Sequence, residues 1–164
     1  MKKIIKEFLP YLLILIGVIL VKTYIVAPVQ VNGSSMYTTL HDNDVMLLNK
    51  LAYLFGDVKR FDIVVLDYEG IHLIKRVIAL PGEEIEVKDN KLYINGKYIK
   101  EKFLDSNALT ENFSYKVPKN HYFVMGDNRM NSRDSRIFGF VSKDNIEGVA
   151  SLTIFPLNRI GFKK

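Results

Sequence analysis

The first 27 residues constrain everything that follows. Lys2, Lys3 and Lys6 precede an uncharged run from Phe8 to Val21, and beyond Lys22 the apolar character continues to Ala27. At about 1.5 Å of rise per residue, a helix over residues 8–27 spans the hydrocarbon core of a bilayer if Lys22 snorkels its amine to the far interface. Pro10 falls near the helix start, where its missing N–H is tolerated. The lysines, set against the single Glu7, predict a cytoplasmic segment over residues 1–7, with residues 28–164 on the outer face of the plasma membrane. A cleaved secretory signal peptide shares the basic start and apolar middle, but it needs small residues at its cleavage site. Here the only candidate, Ile25-Val26-Ala27, carries a bulky Ile25 and is followed by Pro28, which favours an uncleaved anchor over residues 8–27.

Residues 28–164 suffice for one domain with a real core and are too few for two. The chain has no Cys, which removes disulfide staples and thiol chemistry. Its formal charge of +5 comes from basic residues interleaved with acidic ones. That pattern argues against a nucleic-acid partner and suits a protein lying beside an anionic lipid bilayer. No HExxH, P-loop or GxGxxG occurs, so no metal and no cofactor is expected.

Val29 and Val31 alternate with Gln30 and Asn32 as in a strand leading into a turn at Gly33. Apolar runs at 45–48, 63–66 and 72–80 are bounded by the turn sequences Asp67-Tyr68-Glu69-Gly70 and Pro81-Gly82. Alternation at 85–87 and 92–94, followed by Asn95-Gly96, reads as a meander of hairpins. The pattern is weak and loop-like over 101–119, resumes at 121–125, and gives a last strand at 148–155. The expected fold class is mainly β: an N-terminal transmembrane helix, then an antiparallel β-sheet domain with a small β-hairpin insertion over residues 84–120. Phe155, Leu157, Ile160 and Phe162 are assigned to the core in preference to a lipid-facing surface.

Two polar residues break the structural pattern. Ser35 lies in Gly33-Ser34-Ser35-Met36, and Lys75 interrupts the strand-like run from His72 to Leu80. A serine hydroxyl is a poor nucleophile without a base, and a lysine can be that base only when its amine is neutral. Burial among Ile74, Val77, Ile78, Ala79 and Leu80 would disfavour the ammonium. Taken singly, Ser35 reads as a turn serine and Lys75 as a lysine guarding a sheet edge. A Ser-His-Asp triad would draw on His41, His72 or His121, but none lies in a recognisable motif, and His72, three positions before Lys75, faces the other side of a regular strand.

Taken together, three boxes overturn those readings. The first is Ser35-Met36-Tyr37-Thr38-Thr39-Leu40 and the second Lys75-Arg76-Val77-Ile78-Ala79-Leu80-Pro81-Gly82-Glu83. The third is Gly126-Asp127-Asn128-Arg129 followed by Ser132-Arg133-Asp134-Ser135-Arg136. In order, spacing and position behind an anchor, they resemble the type I signal peptidases, in their short bacterial single-anchor form. Thr38 stands where that family's box has proline, and Glu83 where it has aspartate.

The resemblance implies a membrane-anchored serine endopeptidase that removes signal peptides from exported preproteins, cutting after small residues. Ser35 would be the nucleophile and Lys75 its base. Ser132 would hydrogen-bond and orient the lysine, and the pairs Asp127 with Arg76 and Asp134 with Arg136 would hold the site together. Val29, Val31, Met36 and Ile74 would line the substrate pockets. The oxyanion would rest on the Ser35 N–H and a second donor, which the family in some members takes from a serine where this chain has Gly33. The implied partners are the signal peptides of preproteins, the bilayer and the protein-export machinery. Two other readings were weighed. A non-catalytic assembly factor of the same fold, binding exported surface subunits, would lose the serine or the lysine. A self-cleaving Ser-Lys regulator would lack the anchor and carry a DNA-binding segment.

Overall fold

The computed structural model describes residues 2–51 and 58–163. Residues 52–57 fall in a stretch, Asn49 to Phe61, to which the sequence assigned no element. The first element, α1, runs Lys2–Tyr24 and contains an apolar span, Glu7–Tyr24, long enough to cross a membrane. Its apolar side chains from Phe8 to Tyr24 are largely exposed, as expected of a helix whose apolar surround is lipid.

The helix stops three residues short of the expected boundary. Ile25 N–H makes a last helical bond to Val21 O (2.8 Å), and β1 starts at Val26 (Val26–Gln30). The reason is tertiary: β1 pairs antiparallel with β2 (Val45–Asn49), and Lys50 fastens the junction through its N–H on Ile25 O (2.9 Å) and its Nζ on Thr23 O (3.1 Å). Residues 25–27 therefore belong to the sheet and its junction.

Then come β3 (Ile63–Tyr68), β4 (Ile71–Ala79), β5 (Glu84–Lys88), β6 (Lys91–Ile94), β7 (Lys97–Ile99), β8 (Phe113–Lys116) and β9 (His121–Met125). A one-turn helix α2 (Ser135–Phe138) leads to β10 (Val141–Ser142), β11 (Ile146–Phe155) and β12 (Gly161–Phe162). Among the described residues the strands form two antiparallel sheets. The larger has the order β1-β2-β11-β3-β4-β9-β10, with β12 also paired to β11, and the smaller β7-β6-β5-β8. Three strands are not expected from the sequence: β8, the two-residue β10 and β12. Residues 113–116 are mostly exposed and so lack an alternating signal, yet they pair with β5, and β12 follows what was expected to be the last strand.

Three buried clusters hold this together. One joins β1, β2 and the turn after Gly33 through Val31, Met36, Leu40, Met46 and Leu48. A second fills the opposite face of the large sheet, and a third, around Ile85, Leu92 and Phe123, packs the small sheet onto the large one. Each large side chain buried this way contributes about 1.5–3 kcal/mol. The C-terminus is pinned by a buried ion pair in which the Arg159 guanidinium spans both carboxylate oxygens of Asp44. Phe155, Leu157, Ile160 and Phe162 are not core, however: all four are more than half exposed, because the chain after Phe155 leaves the sheet and β12 adds only two residues at the β11 edge.

Candidate active site

Strand β4 delivers Lys75 and Arg76 as neighbours, and the alternation of a strand sends their side chains to opposite faces. Lys75 is 3% exposed, and its Nζ hydrogen-bonds to Ser35 Oγ at 2.8 Å and to Ile74 O at 3.0 Å. Burial holds the amine below the ordinary lysine value of 10.5, against the opposing pull of Asp134 and Asp127. Loss of the proton is thus made easier for an amine within reach of a serine hydroxyl.

Ser35 is held by backbone contacts. Its carbonyl accepts the Asn128 N–H (3.0 Å), the Asn128 amide donates to Ser34 O (3.1 Å), and Asn131 donates to Ser34 Oγ (3.1 Å). Gly33, with φ +90°, supplies the bend before the nucleophile and donates its N–H to Asp42 (2.7 Å). A side chain at that position would have open space but a strained backbone, which favours glycine there. The Ser35 N–H carries no hydrogen bond among the described residues and is a free donor.

Gly126 lies between the nucleophile turn and the Ser132 loop. A Cβ there would sit 2.4 Å from Ser35 O and 2.2 Å from Ser132 Oγ, so only glycine fits. Beside it, Arg76 and Asp127 form a bidentate pair with both side chains buried (Nε–Oδ1 2.8 Å, Nη2–Oδ2 2.6 Å). Asp134 accepts from Arg136 through Nε and Nη2 (2.8 and 2.7 Å) and from the Gly126 N–H (3.0 Å). Burial alone would raise the Asp134 carboxyl, but Arg136 and the Gly126 N–H outweigh it and hold the group below its ordinary 3.8.

Ser132 departs from expectation. Its Oγ is buried and has no hydrogen-bond partner within bonding distance. Its proximity adds only the smallest contribution to the lowering of Asp134, and its position is set by contact with Gly126.

Other residues that support the site were not singled out from the sequence. Thr39 Oγ1 donates to Asp127 (2.5 Å) and accepts from Arg76 (3.3 Å), Phe61 O accepts from Arg76 (2.9 Å), and the Phe103 ring lies 4.0 Å from the Arg76 guanidinium. Arg129 bonds Gly126 O, Thr110 and Glu101, tying the site loop to the residues around the small sheet. Only Thr39 and Arg129 fall inside the motif boxes; the others meet them through long-range packing that no local pattern reports.

Ser35 and Lys75 open onto a cleft of about 580 Å³ whose lining includes Val29, Val31, Met36 and Ile74. His72 and Glu147, 2.7 Å apart, line it as well. Strand β1 has a partner on one side only, and β4 pairs with β9 only from Arg76 onward, so Ile71–Lys75 also present an open edge. The cleft thus lies between two unpaired strand edges. Among the described residues no group of His, Cys, Asp and Glu is disposed to hold a metal.

A family model described as signal peptidase, peptidase S26, matches residues 1–155. Signal peptidase I P of Bacillus subtilis subsp. natto is 45% identical over 166 residues, covering 93% of this chain and 90% of that protein. Signal peptidase I T of Bacillus subtilis strain 168 is 43% identical over 155 residues, covering 87% of this chain and 80% of that protein. The crystal structure of a signal peptidase I from Enterococcus faecalis V583 superposes with a TM-score of 0.53 at 38% identity, covering 57% of this chain and 97% of that one. The mainly β antiparallel fold, the order of the boxes and these matches agree: the chain belongs to the signal peptidase family, peptidase S26, a family of serine hydrolases.

Proposed function

We propose that the protein is a membrane-anchored endopeptidase that cuts signal peptides from exported preproteins with a Ser35-Lys75 dyad. The observation that carries the reading is the 2.8 Å approach of a buried, pKa-lowered amine to a serine hydroxyl at the wall of an open cleft. Neutral Lys75 takes the Ser35 proton as Oγ attacks the scissile carbonyl, and the Ser35 N–H receives the developing oxyanion. Lys75 then passes the proton to the leaving amine and activates the water that releases the acyl group. Ser132 acts by packing, fixing Gly126 and with it the nucleophile turn. The substrate lies extended between β1 and the open edge of β4 and adds a strand. Val29, Val31, Met36 and Ile74 bound pockets that take small side chains. Helix α1 crosses the bilayer with its N-terminus cytoplasmic, places residues 28–164 on the outer face and keeps the cleft where signal peptides reside, which raises their effective concentration.

The test is incubation of the detergent-solubilised full chain with a preprotein whose signal peptide ends in alanine, with product mass as readout. The wild type cuts after the small residue, and Ser35→Ala and Lys75→Ala each lose on the order of a thousandfold or more. Wild-type cleavage by either variant refutes the dyad.

A further inference from the structure

A second cavity, of about 570 Å³, shares no lining residue with the cleft and has Phe61, Ile63, Phe103 and Val149 in its wall. Its rim is cationic. Lys100, Lys102 and Lys163 line it, and among the described residues none of the three amines has a carboxylate partner. Arg60 also lines it but is committed to Glu83 (2.5 Å), and the only acidic lining residue, Asp62, accepts the Lys59 N–H (2.8 Å). Phe162, the neighbour of Lys163 in the chain, is 75% exposed and does not line the cavity.

The strand register fixes the depth of this cavity. Val26 pairs with Asn49, and Asn49 with Val149, so the three lie on one row across β1, β2 and β11. With strands about 4.8 Å apart, Val149 lies within about 10 Å of Val26, which itself follows the end of α1 by two residues. If α1 spans the bilayer, which is the reading this step rests on, the cavity wall at Val149 lies near the outer-leaflet headgroups. Val149 packs against the cluster on one face of the sheet and Ile63 belongs to the cluster on the other, so the cavity wall draws on both faces.

We propose that this cavity binds an anionic phospholipid of the outer leaflet. The phosphate sits among Lys100, Lys102 and Lys163, and the upper acyl chain lies on the wall formed by Phe61, Ile63 and Phe103. A zwitterionic headgroup places its own cation against the same amines and is disfavoured. Occupation leaves the cleft free and gives the domain a second hold on the membrane, which sets the height of the cleft above the bilayer.

The probe is short-chain phosphatidylglycerol, titrated into the 15N-labelled full chain in neutral detergent while the amides of residues 100–103 and 161–163 are followed. Saturable shifts are expected there, with short-chain phosphatidylcholine giving none. Lys100→Gln/Lys102→Gln should bind on the order of tenfold more weakly or worse, with unchanged preprotein cleavage in detergent. In the wild type, added salt should weaken binding. Equal binding of phosphatidylcholine, unaltered binding by the double variant, or equal binding of inorganic phosphate, which would mark a free-anion site, overturns the proposal. The anchor is read separately by carbonate extraction of membranes: release of the full chain defeats the anchor reading without bearing on the titration.

Discussion

Burying the Lys75 amine costs the fold stability, and the sign of that cost is measurable. Its folded pKa is lowered from 10.5 by burial. Below the folded pKa both folded and unfolded chains hold the proton, and the cost of burying the ammonium is present in full. Between the folded pKa and 10.5 only the unfolded chain holds it, so wild-type stability climbs with pH relative to a variant that cannot titrate. Lys75→Met, of similar volume, should therefore be inactive yet more stable than wild type at neutral pH. That advantage should shrink as pH rises and be gone by about 10.5, as read by thermal melting in detergent across pH. A variant less stable than wild type at neutral pH would mean that the amine is buried as a well-paired charge.

At the scale of elements, the active-site loop is positioned from the small sheet as well as the large one. Arg129, 3% exposed, reaches Glu101 and Thr110 across that junction. Glu101→Leu leaves a buried guanidinium unpaired and should cost about 3–5 kcal/mol, whereas Glu101→Leu with Arg129→Met should recover most of it, measured as a double-mutant cycle. Strict additivity would show that the pair is not coupled. This clamp illustrates what was legible in the sequence. Strands with apolar runs, such as β3 and β4, announce themselves because burial is written into every residue. The polar boxes announced Ser35, Lys75, Arg76 and Asp127 because their chemistry is local in sequence. Glu101, Phe103 and Glu147 could not be found that way, since each gains its role only when distant strands pair. The misread regions share that cause: Val26 and Ala27 leave the helix for the partner strand β2, β8 pairs through an exposed surface, and the C-terminal aromatics stay outside the core. Ser132 is expected to bond Lys75, but its buried Oγ has no hydrogen-bond partner.

At the scale of the molecule, a helix suited to lipid, a cleft between two open strand edges and a cationic cavity are arranged around one sheet. In the proposed function, this arrangement brings the Ser35 nucleophile to substrates confined at a membrane surface, and its activity rests on the state of the Lys75 amine. The most direct measurement is a 15N titration of the Lys75 Nζ in the full chain, set beside the pH dependence of preprotein cleavage by the same sample. The account predicts that the amine loses its proton below 10.5 and that cleavage rises over the same pH range. An amine that stays protonated up to 10.5 while cleavage is already maximal at lower pH would contradict it.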